Sequence, residues 1–163
     1  MRKYVKLFSL SLIVFLVTGC SFKSLFESSK TYTIKGISVT MKEDFHEKES
    51  RAFTAYLESE DVIFTALKEE FTDLKVLGID KNSTLTDYAK AVQSANSIDS
   101  NIVENDGLVY FTYEKDVNGK TYYYLTSVYI SDDSFWSVNF TCDKENKTEF
   151  ESKFIKWAKT VKI

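Results

Sequence analysis

The 163-residue chain has no proline, a single histidine (His46), two cysteines (Cys20 and Cys142) and five scattered glycines. Each shortage excludes a kind of chemistry. A Ser-His-acid or Cys-His centre would have to be built on His46. That residue sits among Glu43, Asp44, Glu47 and Glu49 in a stretch that reads as a solvated loop, and no G-x-S-x-G accompanies it. The two cysteines and one histidine offer no zinc spacing, and the glycines form no phosphate-cradling loop. There is no internal repeat and no low-complexity tract. Basic charge is also scarce: 21 Lys and Arg stand against 24 Asp and Glu, for a formal charge of −3.

The one long apolar run lies at the start. Arg2, Lys3 and Lys6 form a basic head, residues 7–17 an apolar stretch, and Thr18-Gly19-Cys20 a close of small residues. That is the layout of a secretory signal peptide, and the run falls short of the about 20 apolar residues a bilayer span requires. The end of the run, Val17-Thr18-Gly19-Cys20, resembles a bacterial lipobox. The resemblance implies that Cys20 receives a diacylglyceryl group on sulfur and becomes the first mature residue. Removal of Arg2, Lys3 and Lys6 leaves 18 basic against 24 acidic residues, a charge of −6. A nucleic-acid binder needs a basic face to displace counterions from phosphate, so nucleic acid is not an expected partner. Attachment to the membrane would rest on the acyl chains, at about 0.8 kcal/mol per buried methylene. Lipidation would consume the Cys20 sulfur, which leaves Cys142 without an intramolecular partner and rules out a disulfide framework.

The expected organisation is a leader at residues 1–19, a lipidated cysteine and tether at 20–30, and one globular domain at 31–163. The tether can reach at most about 35 Å. Two short alternating runs flank Lys35-Gly36 and predict a hairpin in which Ile37, Val39 and Met41 share a face. Residues 42–51 form a charged connection. Strands are expected over 52–59 and 62–68, with the turn at Glu60-Asp61. At residues 84–97 the period changes: Leu85, Tyr88, Ala89, Val92 and Ala95 recur at helical spacing, and Thr84 with Asp87 resembles a capping box.

Asn118-Gly119 is a strong two-residue hairpin signal, because both central residues of a type I′ turn take positive φ. It sets Tyr113 opposite Tyr124, Val109 opposite Val128 and Thr112 opposite Leu125. A second turn at Asp132-Asp133 sets Tyr129 opposite Trp136 and Leu125 opposite Phe140. One face of this meander then carries Leu108, Tyr110, Leu125, Tyr129, Trp136, Val138, Phe140 and Cys142. The other carries Val109, Phe111, Tyr113, Tyr124, Val128, Ile130 and Phe135, so both faces need cover. A last helix supplies some of it through Phe150, Phe154, Trp157, Ala158 and Val161, with Asn146 as its expected cap and Glu149 three residues on. Residues 161–163 are expected to end as a short strand.

This order (hairpin, two strands, helix, three-strand meander, helix, behind a lipobox) resembles the PsbP-like family, whose other known branch includes nuclear-transport Ran-binding proteins. The resemblance covers residues 31–163 and implies an α+β fold, an antiparallel β-sheet flanked by helices on both faces in an α/β/α sandwich. The family's second strand tends to be followed by proline, whereas this chain has Met41-Lys42-Glu43-Asp44-Phe45. No motif of the plant or nuclear relatives matches here, so no functional residue is carried over.

Two constellations stand out. Glu43, Asp44, Glu47 and Glu49, with Glu58, Glu60 and Asp61, are acidic, but they lack the D-x-D-x-D-G spacing of a calcium loop and read as a solvated surface. Tyr122, Tyr123 and Tyr124 are consecutive, so they alternate between faces and most pack into the sheet. Tyr113, Tyr122 and Tyr124, near the Asn118-Gly119 end, form a candidate binding rim, since tyrosine joins an apolar body to a polar tip. The expected function is that of a non-catalytic binding or scaffolding lipoprotein, held on the extracytoplasmic face of the cell membrane by Cys20. Its partner would be an unidentified protein at the cell surface. The alternative is a small-ligand-binding lipoprotein with a pocket between the sheet and one helix. No cofactor and no metal are expected. If Cys20 carries the anchor, the intact protein partitions into the detergent phase while Cys20→Ser stays in the aqueous phase. Equal partitioning of the two would reject the lipobox.

Overall fold

The computed structural model describes residues 28–163. The leader at 1–19, the lipidation site Cys20 and the tether as far as residue 27 lie outside the described residues. Strand β1 (Ser29–Ile34) pairs with β2 (Ile37–Lys42) as the expected hairpin, with Tyr32 opposite Val39 and Ile34 opposite Ile37. Lys35 (φ 45°) and Gly36 (φ 95°) make the two-residue turn. Ile37, Val39 and Met41 are buried together. Pairing begins at Ser29, two residues ahead of the expected start of the domain.

The charged connection is not wholly a loop: His46–Glu47 form a two-residue strand, β3, against β4 (Ala55–Glu58). Strand β5 (Val62–Glu70) returns antiparallel to β4. The Ser59 amide donates to the Val62 carbonyl at 2.9 Å and closes the turn between them. Residues 71–77, which carry no clear period, form a short helix α1 (Phe71–Leu74) and a 3-10 turn (Lys75–Leu77) that ends on Gly78 at φ 73°. Helix α2 (Leu85–Ala95) starts as expected. The Asp87 amide donates to Thr84 Oγ1 at 3.1 Å, and the Thr84 amide donates to Asp87 Oδ2 at 3.0 Å.

The meander has four strands rather than three. A short strand, β6 (Ile102–Asn105), precedes β7 (Leu108–Val117), β8 (Lys120–Ile130) and β9 (Ser134–Asp143). Asn118 and Gly119 take φ of 52° and 82°. Every register read from the two turns is found: Tyr113 faces Tyr124, Val109 faces Val128, Tyr129 faces Trp136 and Leu125 faces Phe140. Strand β5 pairs with β9 from Val62–Cys142 to Glu70–Ser134 and so joins the two halves of the chain. The result is a seven-stranded antiparallel sheet in the order β3-β4-β5-β9-β8-β7-β6, beside the separate β1–β2 pair.

Both faces of the sheet are covered in part. On one, Leu125, Val138 and Phe140 pack with Phe150, Phe154 and Ala158 of helix α3 (Lys147–Ala158) and with Ile37, Val39 and Met41 of the hairpin. The Phe140 and Phe154 rings lie 5.7 Å apart. Burial of such a side chain contributes about 1.5–3 kcal/mol. On the other face Val109, Phe111, Val128 and Phe135 pack beneath Tyr88 and Ala89 of α2. The expected cap on α3 is not made. A 3-10 turn (Lys144–Asn146) runs straight into the helix, so Asn146 sits at φ −90°, ψ 0° and its side chain makes no capping bond. An N-cap residue needs extended backbone for its side chain to reach back to the helix amides. Residue 162 bridges to Ser38, so the expected final strand is a single bridge.

The two helix starts should therefore respond differently to the same change. Thr84→Ala is expected to cost about 1 kcal/mol of unfolding free energy. Asn146→Ala should leave stability nearly unchanged, with both read from urea unfolding midpoints.

Candidate functional site

The three tyrosines of the predicted rim share one face. Tyr122 and Tyr124 are two apart on β8, and Tyr124 is the cross-strand partner of Tyr113. The rings of Tyr113 and Tyr124 stack with centroids 4.7 Å apart and planes 3° from parallel. Tyr122 lies opposite Lys115, and the Lys120 ammonium sits 5.4 Å from its ring centre while pairing with Asp143 at 2.7 Å. All three side chains are half-buried. Burial raises the phenol pKa of Tyr113 and, helped by Tyr122, that of Tyr124, so both remain neutral donors. Tyr123 points the other way. It is 1% exposed and donates to Glu151 Oε1 at 3.0 Å, which makes it a core residue.

The same face continues past the rim. Thr126 Oγ1 donates to Asn139 Oδ1 at 2.6 Å, and Asn139 Nδ2 donates to Thr65 Oγ1 at 3.4 Å. Tyr56 lies opposite Thr65, half-buried, with burial and then Glu58 raising its pKa. Sequence reading assigned no role to Tyr56. Its place in the row comes from the β4–β5–β9 pairing, which no local pattern signals.

The rim also borders an open edge. Strand β6 pairs with β7 only from Leu108 to Phe111, so among the described residues no strand lies beside Thr112 to Val117. In a two-residue hairpin the closing pair is hydrogen-bonded, here Val117 with Lys120, and bonded pairs then alternate along the ladder. The N–H and C=O groups of Glu114 and Asp116 consequently point away from β8. A depression of about 300 Å³ runs along this edge between Ser97, Asp99 and Ser100 on one side and Tyr113 and Lys115 on the other. The Glu114 carboxylate turns to the 3-10 turn and the start of α3, where a hydrogen bond from Lys144 at 2.7 Å, and then Lys147, hold its pKa down.

A second feature lies between the sheet and helix. A cavity of about 110 Å³ is walled by Leu67, Leu74, Leu77 and Val92, with Glu69 and Tyr88 at its polar side. The Tyr88 hydroxyl donates to Glu69 Oε2, and its ring stacks on Phe135 with centroids 4.6 Å apart. Burial and the Glu69 carboxylate push the Tyr88 phenol far up. Tyr88 is legible as a helix core residue, but its partner on β5 is not.

The chain carries a PsbP-like fold. Among the solved structures it resembles is the solution structure of cyanobacterial PsbP (CyanoP) from Synechocystis sp. PCC 6803, with a TM-score of 0.54 and 16% identity over 90% of this chain and 98% of that one. Another is a crystal structure from Bacteroides thetaiotaomicron VPI-5482, with a TM-score of 0.52 and 13% identity over 84% of this chain. This chain spans about half the length of that protein, 48%. Identities this low show the fold alone. No protein-family profile matches the chain, and no curated protein matches it.

The remaining candidates are spread apart. His46 is exposed on β3 opposite Glu58. Glu43, Glu47, Glu49, Glu60 and Asp61 are exposed, Asp44 pairs with Lys42 at 2.8 Å and Glu58 with Lys48 at 3.6 Å. Among the described residues no three such side chains converge as metal ligands. Cys142 is 2% exposed on β9, and burial, followed by the nearby Asp143, pushes its thiol from 9.0 up to about 12. At pH 8 only about one thiol in ten thousand is ionised on that scale. Alkylation of Cys142 by iodoacetamide at pH 8 should accordingly wait for global unfolding, so that its rate rises with urea along the unfolding curve. Rapid labelling of the native protein would contradict this placement.

Proposed function

We propose that the protein is a lipid-anchored, extracytoplasmic binding module without catalytic activity, held at the cell membrane by acyl chains on Cys20. Its contact surface is the Tyr113–Tyr122–Tyr124 rim together with the free edge of β7, and its partner is a protein at the cell surface. The observation that carries this reading is the half-exposed Tyr113–Tyr124 stack beside strand backbone with unpaired outward groups. Such an edge accepts an extended segment through main-chain bonds, while neighbouring rings supply the apolar contact. The PsbP-like α/β/α sandwich acts as the rigid support, with α2 on one face and α3 on the other. The sole imidazole is exposed and the Cys142 thiol is buried and protonated, which favours binding over turnover.

A second reading, a receptor for a small ligand, is favoured by the 110 Å³ cavity at Glu69 and Tyr88.

In-cell crosslinking tests the first reading, with an unrelated domain on the same Cys20 tether as control. A partner enriched over the control should lose at least about tenfold of its yield with Tyr113→Ala/Tyr124→Ala, given that truncation of an interface anchor commonly costs 2 kcal/mol or more. Capture unchanged by the double variant, or none above the control, would reject the rim as the contact.

A further inference from the structure

We propose that the cavity between the sheet and α2 binds a small alkylammonium, its charged nitrogen on the Glu69 carboxylate and its hydrocarbon body among Leu67, Leu74, Leu77 and Val92. The proposal rests on the small-ligand reading and names the ligand's chemistry.

Charge is the first argument. Glu69 is half-buried, and the hydrogen bond it accepts comes from a neutral phenol, Tyr88. Among the described residues no Lys or Arg pairs with it. The adjacent cation, Lys68, is occupied by Asp133 at 2.9 Å. Tyr88 serves only one of the two Glu69 oxygens, and the other, Oε1, is not buried, so a cation entering the cavity can reach it and form a charge-assisted bond. Ser137 also lines the cavity, but the one hydrogen bond Glu69 accepts from a side chain among the described residues is that from Tyr88. An anion would be repelled here, and a neutral ligand would leave the charge unmatched.

Size and shape are the second. The cavity holds about 110 Å³, less than the about 150 Å³ that admits benzene, and it opens past Leu77, so it suits a short alkyl chain that is enclosed only in part. Drug-sized ligands, which occupy about 300–1,000 Å³, do not fit. Leu77 lines the cavity yet is 55% exposed. A bound alkyl group would take that side chain out of water, which gives the apolar part of the ligand its own driving force.

The test compares 3-methylbutylammonium with its neutral isostere 3-methylbutan-1-ol at pH 7. The protein is the mature chain, residues 20–163, with Cys20→Ser so that no acyl chain is added, and backbone amide shifts are followed by NMR. The ammonium should give saturable shifts around Leu67, Val92 and Ser137, with the alcohol at least about tenfold weaker, as expected for loss of a charge-assisted bond. Glu69→Gln should reduce the ammonium to the level of the alcohol and leave the alcohol unchanged. Tyr88→Phe, which keeps the ring stack, should weaken the ammonium by a smaller factor. Equal binding of the two probes, indifferent to Glu69→Gln, would overturn the ammonium assignment while leaving a small-ligand site. Saturation by neither would overturn both the assignment and the small-ligand reading.

Discussion

Strands β8 and β9 bury side chains on both faces, and the rest of the architecture answers that demand. Along β9, Phe135 and Ser137 face α2 while Trp136, Val138, Phe140 and Cys142 face α3. A sheet of this kind is stable only when both sides are shielded from water. Helix α3 and the N-terminal hairpin shield one side with phenylalanine and aliphatic groups. On the other, α2 brings a narrower set, mainly Tyr88 and Ala89. The asymmetry leaves tyrosine and threonine rather than phenylalanine and leucine at the far end of that face. The candidate contact surface and the cavity thus arise from the same shortage of cover.

Much of the fold was legible because a few local signals carry long-range consequences. Asn118-Gly119 dictates the pairing of nine residues on β7, and the Asp132-Asp133 turn does the same for β9. Thr84 with Asp87 marks the start of α2 because both of its reciprocal bonds are local. Other elements were hidden for physical reasons. Strand β6 has only Ile102 half-buried and no buried residue to set a period, although Asp106-Gly107 beside it is the same kind of turn as Asn118-Gly119. Helix α1 has four residues, too few for periodicity to declare itself. Asn146 has the right side chain for a cap in the wrong backbone conformation, which only the preceding turn determines.

The candidate sites divide along the same line. The tyrosine rim follows from strand alternation and hairpin register, both of which the sequence encodes locally. Glu69 acquires meaning only through Tyr88, which belongs to a different element, α2, and meets it on the face of the sheet that the helix covers. The open edge of β7 is likewise a property of how far β6 extends, a matter of tertiary arrangement and not of residues 112–117 themselves.

The clasp between the hairpin and the end of α3 bears on the order of assembly. The Thr40 amide donates to Thr160 Oγ1 at 2.9 Å, Thr160 Oγ1 donates back to the Thr40 carbonyl at 3.2 Å, and Ser38 and Lys162 exchange two backbone bonds at 2.9 Å. The Thr40–Thr160 contacts span 120 residues of chain, and the Ser38–Lys162 bonds slightly more. Strand β5 likewise waits for β9, about 80 residues downstream. Loop-closure entropy must be met before such distant contacts form. The first forty residues of the domain therefore cannot complete their packing while the last twenty are still being synthesised. The domain is thus closed only once its C-terminal helix is in place.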